Sequence, residues 1–347
     1  MVLYTRNERI FTNARFVVET LGECKPGECM VCIADAATYG YARVMCDVAR
    51  ELGLSAMIID IDCYGGDERY MKLPVMEPLR QAILHADLVF MLTDQMLTDF
   101  GMFLGNPDEC DTALLGHSRC FTFEATGMEA WQLDPQRILD DRARTLRLYK
   151  KLQSARTLTI TTARGTDLTC DVTRADAMYP VMAIIPFYAE VALIPGLGSV
   201  NGTVIADGAS ECAYGQRGEP IRPAQAGNME LWKKPMGLHF RDSLLIGWDG
   251  DAVQAARLDK LMEDVDPAPR LCDEIGLVTA TSVENDRWGW RIDGSHQTRC
   301  VHVAIGNNYR RGEVIHAPEH VDFDVHEPTI TLDGTVICEN GVFTDAV

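Results

Sequence analysis

Apolar residues recur at helical spacing from Arg9 to Leu21, and the chain then changes period. Glu28 to Ala34 is a continuous apolar run of strand length. A helix is predicted from about Tyr41 to Leu52, closed by Gly53, followed by a strand over Ser55 to Ile61. Helix-favouring residues from Glu77 to His85 precede a third strand, Asp87 to Leu92, and a further short strand is expected at Ser118 to Phe123. Strands and helices alternating at this spacing predict an α/β N-terminal domain built on a parallel sheet.

Asp134-Pro135 opens the next helix with Asp at the cap and Pro at the first helical position, and the helix is expected to run to about Ala155. Beyond it the pattern is different. Arg156 to Thr162 alternates as a strand, Arg164-Gly165-Thr166-Asp167 is a turn, and Leu168 to Val172 alternates again, which predicts a hairpin. Short strands separated by Gly, Pro and Asp fill most of the rest, apart from a helix near Val253 to Met262. The expected division is an α/β domain over 1–155 and an α+β domain over 156–347 that carries the chemistry.

Composition narrows the function classes. The 347 residues are 47% hydrophobic and 24% charged, as in an ordinary globular protein, and the formal charge of −19 opposes any role that grips nucleic acid or an anionic membrane. Met1 to Thr12 is polar and interrupted by charge, unlike a signal peptide, and no run of about 18 apolar residues occurs, so a cytoplasmic protein is expected. The 12 cysteines read as free thiols, many of them in apolar runs. Cys29 and Cys32 form a C-x-x-C only formally, because a strand turns the two sulfurs to opposite faces. After the first strand, Asp35 and Thr38 stand where parallel sheets meet ligands. Neither G-x-G-x-x-G nor a Walker A sequence accompanies them, and helix capping is the simpler role.

The candidate chemistry lies in the second half. Glu190 sits in Phe187 to Pro195 and Glu274 in Leu271 to Val278, two apolar runs in which a carboxylate is costly to bury unless paired or bound to a cation. His302 lies in the apolar run Cys300 to Gly306. On the strand Glu319 to His326, His320 and Asp322 project from one face, a compact start for a metal site. Asp324 and His326 continue that face, so periodicity does not choose among the four. An ordinary hydrogen bond would also satisfy a buried histidine, and His320 with Asp322 would also serve as a simple ion pair.

In order, Glu190-Val191, Val200-Asn201-Gly202-Thr203-Val204, Glu274-Ile275-Gly276-Leu277-Val278, His302-Val303-Ala304-Ile305-Gly306 with Tyr309, His320-Val321-Asp322-Phe323 and Leu332-Asp333-Gly334 resemble the thermophilic-type metalloaminopeptidases of family M29. The resemblance spans roughly Glu190 to Gly341. It implies that Glu190, Glu274, His302, His320 and Asp322 are metal ligands or the base, with Glu190 taken as the base. Tyr309 would polarise the substrate or steady the tetrahedral intermediate. It also implies a homodimer. The family carries one more acidic residue shortly before the first histidine, where this chain has Ser295 to Arg299 without one. The chain length and the Asp134 to Val172 region are similar instead to the 2,5-dihydroxypyridine dioxygenases, relatives on the same scaffold that hold one Fe(II) with two histidines and a carboxylate.

Two functions from different classes follow. A metal-dependent hydrolase would cleave an amide C–N bond of a peptide, small amide or N-heterocycle with Zn, Mn or Co. A ring-cleaving dioxygenase would use Fe(II) on a dihydroxypyridine. Glu274, standing where the dioxygenases have a histidine, makes a harder and more anionic donor set and favours hydrolysis. A third, non-enzymatic alternative is a binding protein whose metal set has decayed.

Overall fold

The computed structural model describes residues 7–60, 77–92, 114–115, 118–123, 128, 131–182, 184–185, 189–213, 234–262, 268–281, 300–306, 308, 315, 317 and 319–347. In the first half, α1 (Glu8–Arg15) continues into a wider turn over Phe16–Leu21, followed by β1 (Cys29–Ala34), α2 (Tyr39–Glu51), β2 (Ser55–Asp60), α3 (Glu77–Leu84), β3 (Leu88–Met91), β4 (Leu114–Leu115) and β5 (Ser118–Phe123). Next come α4 (Pro135–Leu152), β6 (Thr157–Thr161), β7 (Asp167–Asp171), β8 (Ala177–Val181), β9 (Ile184–Ile185), β10 (Glu190–Ile194), β11 (Val200–Ala206) and β12 (Gly208–Ala213). The chain closes with β13 (Met236–Arg241), β14 (Leu244–Asp249), α5 (Ala252–Leu261), β15 (Cys272–Val278), β16 (Cys300–Gly306), β17 (Glu319–His326), β18 (Thr329–Leu332), β19 (Thr335–Glu339) and β20 (Val342–Phe343). No helix among the described residues is long and apolar enough to cross a membrane.

The chain forms two compact units, Met1–Ile138 with Met182–Tyr188, and Leu139–Val181 with Ala189–Val347. The first holds a sheet of order β2-β1-β3-β5-β4, with β9 also on β5. All its pairings are parallel except the short β4–β5 contact. Strand β1, flanked by β2 and β3, is apolar almost throughout because a parallel strand is covered on both faces, and Met30 to Ala34 are buried. Helix α2 buries Ala42, Met45, Cys46 and Ala49, a stripe at helical spacing. Cys29 is exposed and Cys32 buried, and neither is in a disulfide. Asp35 and Thr38 close on each other: the Thr38 amide (3.0 Å) and hydroxyl (2.8 Å) donate to Asp35 Oδ1, and the Asp35 amide donates to Thr38 Oγ1. This turn delivers the chain into α2.

The second unit holds two antiparallel sheets, β12-β17-β16-β15-β10-β8 and β14-β13-β11-β7-β6-β18-β19-β20. Helix α4 enters it under the expected cap, the Arg137 amide donating to Asp134 Oδ1 at 3.2 Å. The expected hairpin is β6 with β7, turned at Gly165, whose φ of 109° suits glycine. Between the sheets lies one apolar core. Leu158, Ile160, Leu168, Val204 and Leu238 of the eight-stranded sheet meet Leu193, Ile275, Val303, Val321 and Phe323 of the six-stranded sheet. Leu148 and Leu152 of α4 and Leu258 of α5 extend it.

Candidate metal centre

Strand alternation sorts the six-stranded sheet into two chemically opposite faces. Val191, Leu193, Ile275, Leu277, Val301, Val303, Ile305, Val321, Phe323 and Val325 all face the core. The intervening residues face the other way: Glu190 on β10, Glu274 on β15, His302 on β16, and His320, Asp322, Asp324 and His326 on β17. Register draws them together. Gly276 stands opposite His302, Ala304 opposite Asp322, and Gly306 opposite His320. With Ala192 opposite Gly276, the centre of this face carries only small residues, and the acids and imidazoles lean over them.

Two clusters result. Glu190, Glu274 and His302 bring one donor atom each within 4.8 Å of one another, and Glu274, His320 and Asp322 do the same. Glu274 belongs to both. Its Oε1 lies 3.7 Å from His302 Nε2 and its Oε2 lies 3.6 Å from His320 Nε2. His302 Nδ1 is 3.8 Å from Glu190 Oε2, and His320 Nε2 is 3.1 Å from Asp322 Oδ1. All five side chains are buried. Tyr309 and the Ser295–Arg299 segment lie outside the described residues.

The remaining polar residues of β17 do other work. His326 Nδ1 bonds to Asp207 Oδ1 at 2.5 Å, and Asp207 also binds the Arg164 guanidinium. Asp324 stands opposite His302 in the ladder and beside Gly208, whose missing side chain makes room for its carboxylate. Neither cluster includes Asp324 or His326.

Sequence reading missed Asp273. Strict alternation from Glu274 would send it into the core with Ile275. The ladder is irregular here, Cys272 pairing with Ile305 but Glu274 with Ala304, so one extra residue is accommodated on β15. Such a bulge re-aims a side chain, and Asp273 Oδ2 reaches His320 Nδ1 at 2.7 Å. The argument that singled out Glu274, a carboxylate in an apolar run, applied equally to its neighbour and was the available signal.

The charge balance suits a cation. Four buried carboxylates (Glu190, Asp273, Glu274 and Asp322) surround two buried imidazoles. Burial opposes the charged form of His302, but Glu190, then Asp322 and Glu274, outweigh it and hold its pKa well above the usual histidine range. Burial likewise opposes charge on His320, and Asp273 and Asp322 reverse the effect. Burial raises the Asp273 pKa, the neighbouring His320 pulls it back, and Glu274 and Asp322 add to the rise. Even two imidazolium ions leave the acids in excess, and a divalent ion among oxygen and imidazole donors would neutralise them.

A proton balance follows. Ligation requires neutral imidazoles, so imidazoles whose pKa values the neighbouring carboxylates hold above the usual range must give up protons to a metal. Divalent-ion uptake is expected to release protons, fewer as the pH rises through the elevated imidazole pKa values. Calorimetric titrations in buffers of different ionisation enthalpy measure this, and identical heats in all buffers would refute it.

One unit carries a parallel sheet, and the other buries paired acid–imidazole clusters on an antiparallel sheet. No family model matches the sequence, and no curated protein matches it. Solved structures do. The chain is similar to 2,5-dihydroxypyridine dioxygenase from Pseudomonas putida KT2440, with a TM-score of 0.67 and 15% identity over 98% of both chains. It is also similar to wild-type AmpT from Thermus thermophilus, with a TM-score of 0.60 and 13% identity over 97% of this chain and 99% of that one. At these identities the likeness is one of fold, and the chain shares its fold with these two proteins.

Proposed function

We propose that this protein is a metal-dependent hydrolase that cleaves an amide C–N bond with activated water. The supporting observation is the composition of the clusters. Each contains one imidazole and two carboxylates, with Glu274 common to both. Oxygen activation at Fe(II) favours two imidazoles and one carboxylate on one face of the ion, whereas oxygen-rich sets suit harder divalent ions. His320 and Asp322 supply two donors of such a triad, and Glu274 stands at the third.

Glu274, common to both clusters, would help to hold an ion in each. Glu190 and His302 would complete one site, and His320 and Asp322 the other. A bound divalent ion supplies a lowered water pKa and a polarised carbonyl. Glu190, as a glutamate not fully engaged as a ligand, is the base: its free carboxylate oxygen takes the proton of the attacking water and returns it to the leaving nitrogen. The small residues Ala192, Gly276 and Ala304 beneath the clusters leave room for the donor side chains, the His302 ring lying over Gly276. The substrate is a peptide with a free amino terminus, or a small amide or N-heterocycle, and the metal is Zn, Mn or Co.

A second reading is Fe(II)-dependent cleavage of a dihydroxypyridine ring. It draws support from the similarity in fold and length to the dioxygenase. Parallel assays of aminoacyl anilides and 2,5-dihydroxypyridine, in air and without oxygen, separate the two. Amide cleavage that persists without oxygen is expected. Ring cleavage with oxygen uptake and no amide cleavage would overturn the hydrolase assignment.

A further inference from the structure

The side chain that holds His320 is not one of the five candidate ligands. We infer that Asp273 is the positioning residue of this centre: its carboxylate takes His320 Nδ1, which turns Nε2 toward Glu274 and Asp322. This inference rests on the metal-centre reading above.

Three observations carry it. First, the two ring nitrogens are divided between partners. Nδ1 is 2.7 Å from Asp273 Oδ2, while Nε2 is 3.1 Å from Asp322 Oδ1 and 3.6 Å from Glu274 Oε2. An imidazole that donates one N–H to a carboxylate has its tautomer and ring plane fixed, and its other nitrogen becomes a better donor to a metal. Second, Asp273 has no exposed surface, and its Oδ1 has no hydrogen-bond partner among the described residues. A buried carboxylate of this kind is costly unless it faces a charged partner. Third, the β15 bulge aims it. Without the extra residue, Asp273 would lie among Ile275 and Leu277 and could not reach His320. The bulge therefore lets adjacent residues serve the two successive shells of one site, Glu274 as ligand and Asp273 behind His320. His302 differs, because Glu190 and Glu274, both members of its own cluster, face its two nitrogens.

Cobalt(II) gives the test, since its visible absorption reports both affinity and geometry. Chelator-treated wild-type protein, Asp273→Asn and Asp273→Ala are titrated with Co²⁺, and circular dichroism checks the fold of each. Both substitutions are expected to weaken Co²⁺ binding by about 10–100-fold and to alter the visible band. A merely structural role would lower stability and leave the affinity of the folded protein unchanged. In parallel, nitrogen NMR of ¹⁵N-histidine-labelled, Zn²⁺-loaded wild type is expected to show His320 protonated at Nδ1 and ligated through Nε2. This measurement decides the matter even if neither variant folds. Folded variants with wild-type affinity, or ligation through Nδ1, would overturn the role of Asp273 alone. A wild type that binds neither ion would overturn the metal centre itself.

Discussion

Replacing Glu274 with alanine is expected to abolish divalent-ion binding, a larger loss than any other single substitution at the site produces. The reason is its place in both clusters, one oxygen toward His302 and the other toward His320. Removing Asp322 or His302 thins one cluster. Removing Glu274 leaves each with two donors and takes away the carboxylate between two imidazoles. The drop in affinity should exceed the roughly 10–100-fold typical of an outer-shell change, and kcat/KM should fall to background with it. Equilibrium dialysis against Zn²⁺ or Mn²⁺, with a circular dichroism control for folding, measures the effect. Retention of wild-type metal content and activity would mean that Glu274 is not a ligand.

The second large effect comes from a residue with no side chain. A Cβ placed on Gly276 would lie 1.9 Å from Cε1 and 2.0 Å from Nε2 of His302, because the ring lies directly over this glycine. His302 is buried and flanked by Glu190 and Glu274, so there is little space into which it can shift. Gly276→Ala is therefore expected to cost about 1–3 kcal/mol, as overfilling a packed interior does. It should also displace His302, so that the cluster with Glu190 loses its imidazole while Glu274, His320 and Asp322 remain. Bound metal per chain should fall, activity should be lost, and the urea midpoint should drop. Unchanged metal content in a folded Gly276→Ala protein would show that His302 is dispensable for binding.

Much of this site was legible before any coordinates, for a physical reason. A carboxylate or imidazole in an apolar run has few ways to be stable, and Glu190, Glu274 and His302 are each buried beside an opposite charge or a potential one. The period of two on β17 placed His320 and Asp322 on one face but could not separate them from Asp324 and His326. Separation came from the neighbouring strands: Glu274 of β15 approaches His320 and joins it with Asp322, the Asp324 carboxylate lies over Gly208, and Asp207 claims His326. The side to which Asp273 points was illegible, because it breaks the alternation on which the reading depends. A bulge is a property of the paired strands, and β15 alone does not reveal that Cys272 and Glu274 face neighbouring residues of β16. Gly276 carried no signal either, since its function is the space it leaves for a ring 26 positions away. In the first unit, the capping role read for Asp35 and Thr38 became a reciprocal turn ahead of α2. Cys29 and Cys32 stand on a strand, which exposes Cys29 and buries Cys32.

The central claim is that the oxygen-rich clusters around Glu274 select a hydrolytic divalent ion rather than iron. The most direct test is the metal content of protein purified without oxygen, measured by mass spectrometry for wild type and for Glu274→Ala side by side. The expected result is zinc, manganese or cobalt at one or two ions per wild-type chain and none in the variant. One tightly held iron per chain in the wild type would contradict it.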